Sequence, residues 1–376
     1  MKKYLSMLLV VILLAASISA CAPESETAEV AEEVVEETAG EEAAQEVVEE
    51  TFKDKGYKLA YIQNGAGDTD IFKMSFDAAK AEAAKLGMTV DIFTSGEQGD
   101  IRFQDLVNQA IEADYDGLFI SHGKEEYSYD MVKRALDAGK KVVTFDTVIK
   151  DADGNGLPEA TAMFQDDFEM TRLSLDYVVN ELYPDTRPVR MLKLWYGPGI
   201  PPFDRRQVTY QEFEDEGLIE TLEVLAPVDL DNIEGSMNTV MASVLPKYPE
   251  GSVDALWGTY DAFTRGAYKA LSEAGRKDIK VVSIDLSNVD INLMNEEDSV
   301  WEACVAVHFE NVGIQGVRLL ARKLHGDETP PNFDLRPSLV PADQLTPDAT
   351  VMNLSTIVDG YGVFDDNWEP WMEELQ

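Results

Sequence analysis

The chain has 376 residues, 45% of them hydrophobic, and carries 31 Lys and Arg against 71 Asp and Glu for a formal net charge of −40. That is enough apolar material for one large or two ordinary buried cores, and so acidic a chain excludes a nucleic-acid backbone as partner. Two cysteines in this length exclude a disulfide framework.

Lys2 and Lys3 precede an apolar run from Leu5 to Ala16, too short to span a bilayer as a mature helix. Residues 1–20 are therefore expected to be a secretory signal. The signal ends in Ile18-Ser19-Ala20-Cys21, which resembles the lipobox at which bacterial lipoproteins are cleaved; the resemblance implies lipidation of Cys21 and a membrane anchor through that lipid. Between Cys21 and Phe52 stand 12 Glu and no Lys or Arg, and like-charge repulsion predicts a solvated tether over 21–56. With signal and tether set aside, 59 acids still face 29 basic residues. Cys304, in "WEACVAVHF", reads as a small buried residue.

From Lys58 onward β-rich runs alternate with helical segments. "KLAYIQN" is followed by "DIFKMSFDAAKAEAAKLG", whose apolar residues at 72, 76, 79, 83 and 86 recur every three or four positions and whose Gly87 suits a C-cap. "MTVDIF" leads to "DIRFQDLVNQAIEA", "DGLFIS" to "EEYSYDMVKRALDAG", and "KVVTF" ends at Asp146. The rhythm then begins again, with strands "TAMFQ", "VRMLKLW", "IETLEVLA", "VDALWGT" and "KVVSID" and helices "DFEMTRLSLDYVVNELY", "NTVMASVLPKYP" and "AFTRGAYKALSEAG" between them. Near-continuous apolar strands of this kind belong in parallel sheets covered on both faces. Two doubly wound units place their ligand sites at the carboxyl ends of the strands, with a cleft between the units.

The residues just after the strands are therefore the candidates: Asn64 to Phe72 (with Asp70 among them), Ser121 and His122, Asp146 and Thr147, Trp195 to Arg206, Thr259 to Asp261, and Asp285 to Asn288. The segment after Asp146 has no helical period, which favours a ligand role over a cap. For Asp285 capping and ligand roles stay level, whereas Asp166 and Asp167 read as caps. Trp195 and Trp257 fit core packing as well as stacking, and Arg206 beside Asp204 fits a surface ion pair as well as a ligand donor. "DADGNG" at 151–156 opens like a calcium loop, but its twelfth position is Ala162, so it reads as a polar turn. The three histidines are far apart and accompany no acid cluster, so no metal site and no cofactor is expected.

The pieces "FDAAKAEAAKLG", "VNQAIEADYDGLFIS", "ALDAGKKVVTFDT", "ALWGTYDAFTRGAYKALSEAG", "VVSID" and "NVGIQGVRLLARKLHG" occur in this order over about 57–345. In that order they resemble the type I periplasmic sugar-binding proteins of ABC importers, the ribose-binding group. The resemblance implies an α/β fold of two doubly wound Rossmann-like lobes with a hinge cleft. It implies that 57–164 with 308–337 make the N-terminal lobe and that 165–307 with 338–376 make the C-terminal lobe and tail. It also implies that the chain binds a sugar or polyol without turnover and presents it to an ABC permease, as a monomer on the extracytoplasmic side of the membrane.

By position in the family pattern, Asp146 and Asp285 would accept ligand hydroxyls from the two lobes, Phe72 would stack, and Arg206 would donate to ring or hydroxyl oxygens. Tyr260 stands where the family often has an amide, and His308 near one. With Asn64, Asp70 and Trp195 these complete the expected ligand-binding set. The residue after the first strand-end Asp is commonly Arg in the ribose-binding group, and here it is Thr147. The fold therefore carries over and ribose does not. A membrane sensor or chemoreceptor using the same fold is the alternative. A glycoside-processing enzyme using Asp146 and Asp285 ranks below both. The aromatic tail, with Tyr361, Phe364, Trp368 and Trp371, is expected to pack on a lobe, with a partner surface as the alternative.

Overall fold

The computed structural model describes residues 51–65, 70–230, 232–362 and 364–375. The expected signal, Cys21 and the tether up to residue 50 lie outside the described residues, as does the side chain of Asp70. No helix among the described residues is long and apolar enough to cross a membrane.

The first sheet takes strands β1 (Lys58–Gln63), β2 (Thr89–Thr94), β3 (Gly117–Ser121), β4 (Lys141–Phe145) and β5 (Thr161–Gln165), joined late in the chain by β11 (Asn332–Leu335). Its order is β11-β5-β4-β3-β1-β2, parallel throughout. The second sheet repeats the plan with β6 (Val189–Leu194), β7 (Ile219–Leu225), β8 (Ala255–Gly258), β9 (Lys280–Ile284), β10 (Trp301–Ala306) and β12 (Ser338–Pro341), ordered β12-β10-β9-β8-β6-β7. Only β12 runs antiparallel there. Consecutive strand residues point to opposite faces. Leu59 and Tyr61 thus pack on helices α1 (Asp70–Lys85) and α9 (Phe309–His325), while Ala60 and Ile62 pack on α2 (Gly99–Glu112) and α3 (Glu125–Asp137).

The second sheet is sandwiched likewise. Leu192 and Leu194 face α6 (Ile233–Val244), α7 (Asp261–Glu273) and α8 (Asn288–Met294). Met191 and Trp257 face α4 (Asp167–Asp176), which runs on into a π-helical turn at Tyr177–Leu182, and α5 (Pro201–Asp215). Helices α1 and α9 cross so closely that a Cβ on Gly313 would lie 2.0 Å from the carbonyl oxygen of Ser75.

The chain passes between the lobes three times, at β5 to α4, β10 to α9, and β11 to β12. The tail makes a further passage. Val351, Leu354, Val358 and Tyr361 belong to the second lobe's core, whereas Trp368, Trp371 and Met372 pack on the first lobe. Grouping all of 338–376 with the second lobe therefore needs correction. Arg318 lies 4.7 Å from the Trp368 ring centre and Trp371 stacks on His325 at 4.2 Å, so the last dozen residues follow the aromatic and cationic groups of α9. "DADGNG" is a turn in which Asp151 Oδ1 accepts from the backbone N–H of Asp153 and of Asn155.

Candidate functional site

Both sheets end at the same place. Ile71 and Met74 of α1, a first-lobe helix, pack into the second lobe's core beside Trp195, Phe203 and Tyr260. The strand ends of the two lobes thereby confront one another across a cleft. Among the described residues four non-glycines take positive φ: His122 (62°), Asp146 (45°), Asp285 (70°) and Asn367 (56°). The first three sit immediately after β3, β4 and β9. Left-handed backbone costs an L-residue about 1–2 kcal/mol, and strain retained at three strand ends marks positions held for a purpose.

Asp285 is anchored from behind. Its carboxylate accepts from Arg206 Nη1 at 3.1 Å and Nη2 at 3.4 Å. Arg206 also donates from Nε to Asp167 Oδ1 at 2.7 Å and from Nη1 to the Thr259 carbonyl. Arg205 closes the network on Asp167 Oδ2 at 2.9 Å. The Arg206 side chain is only 2% exposed, so its charge is tolerable only because two carboxylates flank it. Burial pushes the Asp285 carboxyl above the ordinary carboxylate range; Arg206 opposes that shift, and Asp261 and Asp146 add to it.

Asp146 has a different backing. His122 Nε2 stands 3.8 Å from its Oδ2, and both side chains are 31% exposed. Thr147 is fully buried: its hydroxyl donates to the Phe145 carbonyl at 2.9 Å and accepts from Gly123 N–H at 2.8 Å, tying the ends of β3 and β4 together.

The other expected residues divide. Phe72 lies edge-on to His122 (ring centres 5.5 Å apart) and to Phe309 (6.1 Å), forming one aromatic wall. In the second lobe Tyr260, itself half-buried, packs on Phe203 and Phe263 of the core. Trp195 is half-buried against the second core. Asn64 spends its amide on Asp100 (2.8 Å) and the His122 carbonyl (3.1 Å) while accepting from Ser95 Oγ (3.0 Å), so it supports the cleft floor. Arg206, expected to donate to a ligand, instead directs its guanidinium to protein acceptors behind Asp285. His308 is 3% exposed, packed on Tyr361 and Gly362 of the tail, because the tail's return covers the hinge there. Asp166 caps α4 through Glu169 N–H at 3.0 Å, but Asp167, read as a cap, is the buried partner of both arginines. At Asp285 the cap reading gives way: Ser287 and Asp290 form the capping box of α8.

Asp167 and Gln63 are not among the strand-end candidates, whereas Arg205 and His122 stand among them but outside the expected ligand-binding set. Two adjacent arginines with no acid one helical turn away were the available signal for a distant buried partner. A separate cavity of about 460 Å³ lies on the hinge flank between the 148–158 loop, β5 and β11, lined by Phe164, Phe168, Arg205 and Asp334; neither Asp146 nor Asp285 lines it.

Comparison with known proteins adds the following. Residues 59–328 match the periplasmic binding protein domain family. A sugar ABC transporter structure from Yersinia enterocolitica is 39% identical, with a TM-score of 0.67 over 85% of this chain and 93% of that one. A 5-methylthioribose transporter solute-binding protein from Thermotoga lettingae, 23% identical, gives a TM-score of 0.67 over 85% and 98% of the two chains. A solute-binding protein from Agrobacterium vitis with bound allitol, 21% identical, gives 0.61 over 78% and 97%. No curated protein matches the sequence.

Proposed function

The chain belongs to the periplasmic binding protein domain family, and from that membership we propose that it captures an uncharged sugar or polyol between its lobes and delivers it to an ABC permease. The observation that carries this reading is the pair of strand-end carboxylates, Asp146 and Asp285, each set on left-handed backbone immediately past its strand, one in each lobe. Carboxylates accept hydroxyl donors in charge-assisted hydrogen bonds of about 1.5–3 kcal/mol each. The aromatic groups around Phe72 and Tyr260 offer the apolar surface that sugar C–H faces pack on. Arg206 works through Asp285, holding its carboxylate at the cleft. The protein acts outside the cytoplasm as a monomer, anchored through a lipid on Cys21 and raised from the membrane by the acidic tether.

The test is calorimetry and thermal shift against D-ribose, D-galactose, D-tagatose, allitol and 5-methylthioribose. One or more should bind without being converted and, at one hundred times its Kd, add about 2.7 kcal/mol of stability. Turnover of the ligand, or silence toward every sugar and polyol, refutes the reading. For the anchor, Cys21→Ser should move the protein from the membrane to the soluble fraction.

A further inference from the structure

We propose that His122 grips the ligand together with Asp146, the two acting as donor and acceptor toward a single sugar hydroxyl; the role rests on the polyol reading above. His122 was the strand-end residue with the least obvious purpose, since it is neither a carboxylate nor a member of the expected set. Its placement is nonetheless built.

The backbone is held left-handed at φ 62°, with its N–H donating to the Phe145 carbonyl at 2.9 Å and its own carbonyl accepting from Asn64 Nδ2 at 3.1 Å. The ring is wedged between Phe72 and Phe145, each 5.5 Å away and edge-on at 88° and 71°. Its tautomer follows from Gln63. The Gln63 amide nitrogen donates to the Asn64 carbonyl at 2.7 Å, which settles which end of that amide is the nitrogen. The same nitrogen stands 3.2 Å from His122 Nδ1, and an amide nitrogen only donates, so Nδ1 accepts and the ring proton sits on Nε2. The hydroxyl of Ser121 also lies 2.7 Å from Nδ1.

The Nε2–H is thus the edge turned toward Asp146, and the 3.8 Å between Nε2 and Oδ2 is too long for a direct hydrogen bond. It suits one hydroxyl about 2.8 Å from each atom. That hydroxyl accepts from Nε2–H and donates to the carboxylate, so neither its lone pair nor its proton is stranded on leaving water. Asp146 alone cannot do this, because a carboxylate only accepts. Thr147 offers no help, its hydroxyl being spent inside the lobe. His122 therefore supplies a first-lobe donor, and a neutral one.

The experiment uses the full chain. Calorimetry at pH 7 with D-ribose, D-galactose, D-tagatose and allitol compares wild type with His122→Ala and His122→Gln. For each sugar that wild type binds, His122→Ala should weaken affinity 10- to 100-fold, and His122→Gln, which keeps an N–H at similar reach, should recover most of the loss. Nitrogen NMR of the ligand-free protein should show His122 neutral with its proton on Nε2. A proton on Nδ1, or His122→Ala binding as tightly as wild type, overturns the assignment alone. Equal losses in both variants would mean a merely structural role and also overturn it. Wild type silent toward all four sugars overturns the polyol reading and this assignment with it.

Discussion

Asp146 and Asp285 occupy equivalent places, each one residue past a buried strand and each on left-handed backbone, yet the two lobes support them by opposite means. Asp285 leans on a buried guanidinium shared with Asp167; Asp146 faces a neutral imidazole and a threonine turned inward. On the proposed role of Asp285 the second lobe ties ligand recognition to its own stability, since the cation that holds the carboxylate is also a core residue. The first lobe keeps the two apart, and its site can be altered at little cost to the fold.

The largest effect should come from removing the shared cation. Arg206→Met leaves Asp167 and Asp285 without their counter-charge and should cost about 3–5 kcal/mol in urea unfolding, together with ligand affinity. Next, Asp285→Asn and Asp146→Asn should both weaken sugar binding by an order of magnitude or more. Only the former should also shift stability, because its carboxylate alone is bonded to a core cation, Arg206. Equal stability losses in the two variants would break the comparison.

Lys193, 3% exposed, provides a buried cation of the other kind, donating to Gln207 Oε1 and without a carboxylate partner among the described residues. Its amine lies 3.8 Å from the Tyr210 ring centre and 5.0 Å from that of Trp195, and burial pulls its pKa down to about 8. Between about pH 8 and 10.5 the unfolded chain binds the proton that the folded chain has released, so the Lys193 contribution to stability should rise with pH across that window, by about 3 kcal/mol, and stay flat below it. Lys193→Met should shrink the rise without abolishing it, because Lys323 is likewise buried with its pKa pulled down to about 8, as thermal melts at pH 7.5 and 10 will show. The smallest effect is Thr147→Val, which removes the acceptor of Gly123 N–H and should cost about 1 kcal/mol while leaving sugar affinity nearly unchanged.

Much of the fold was legible because its strands are short apolar runs bounded by helices of regular period. The carboxyl ends of those strands pointed to Asp146 and Asp285 directly. The partner of Arg206 was not legible: Asp167 is 39 residues away and opens a helix, where an acid has an ordinary local explanation as a cap. His308 followed a strand like the other candidates, and nothing in its neighbourhood announced that a tail some fifty residues later would cover it. Helix α5 was obscured by its prolines, which stand at its first turn, where the missing N–H costs nothing.

Local periodicity and strand-end chemistry in the sequence by themselves determined two parallel α/β lobes with acids at the mouths of their strands, because side-chain spacing alone decides which face of a helix or strand is buried. What only the tertiary structure decided is which of those side chains the protein uses on itself. Asp167, Arg206, Thr147 and Asn64 are engaged by residues distant in sequence, while Asp146, Asp285 and the Nε2–H of His122 are left toward the cleft. That division depends on distances of a few ångströms between strand ends, which packing of the whole lobes sets.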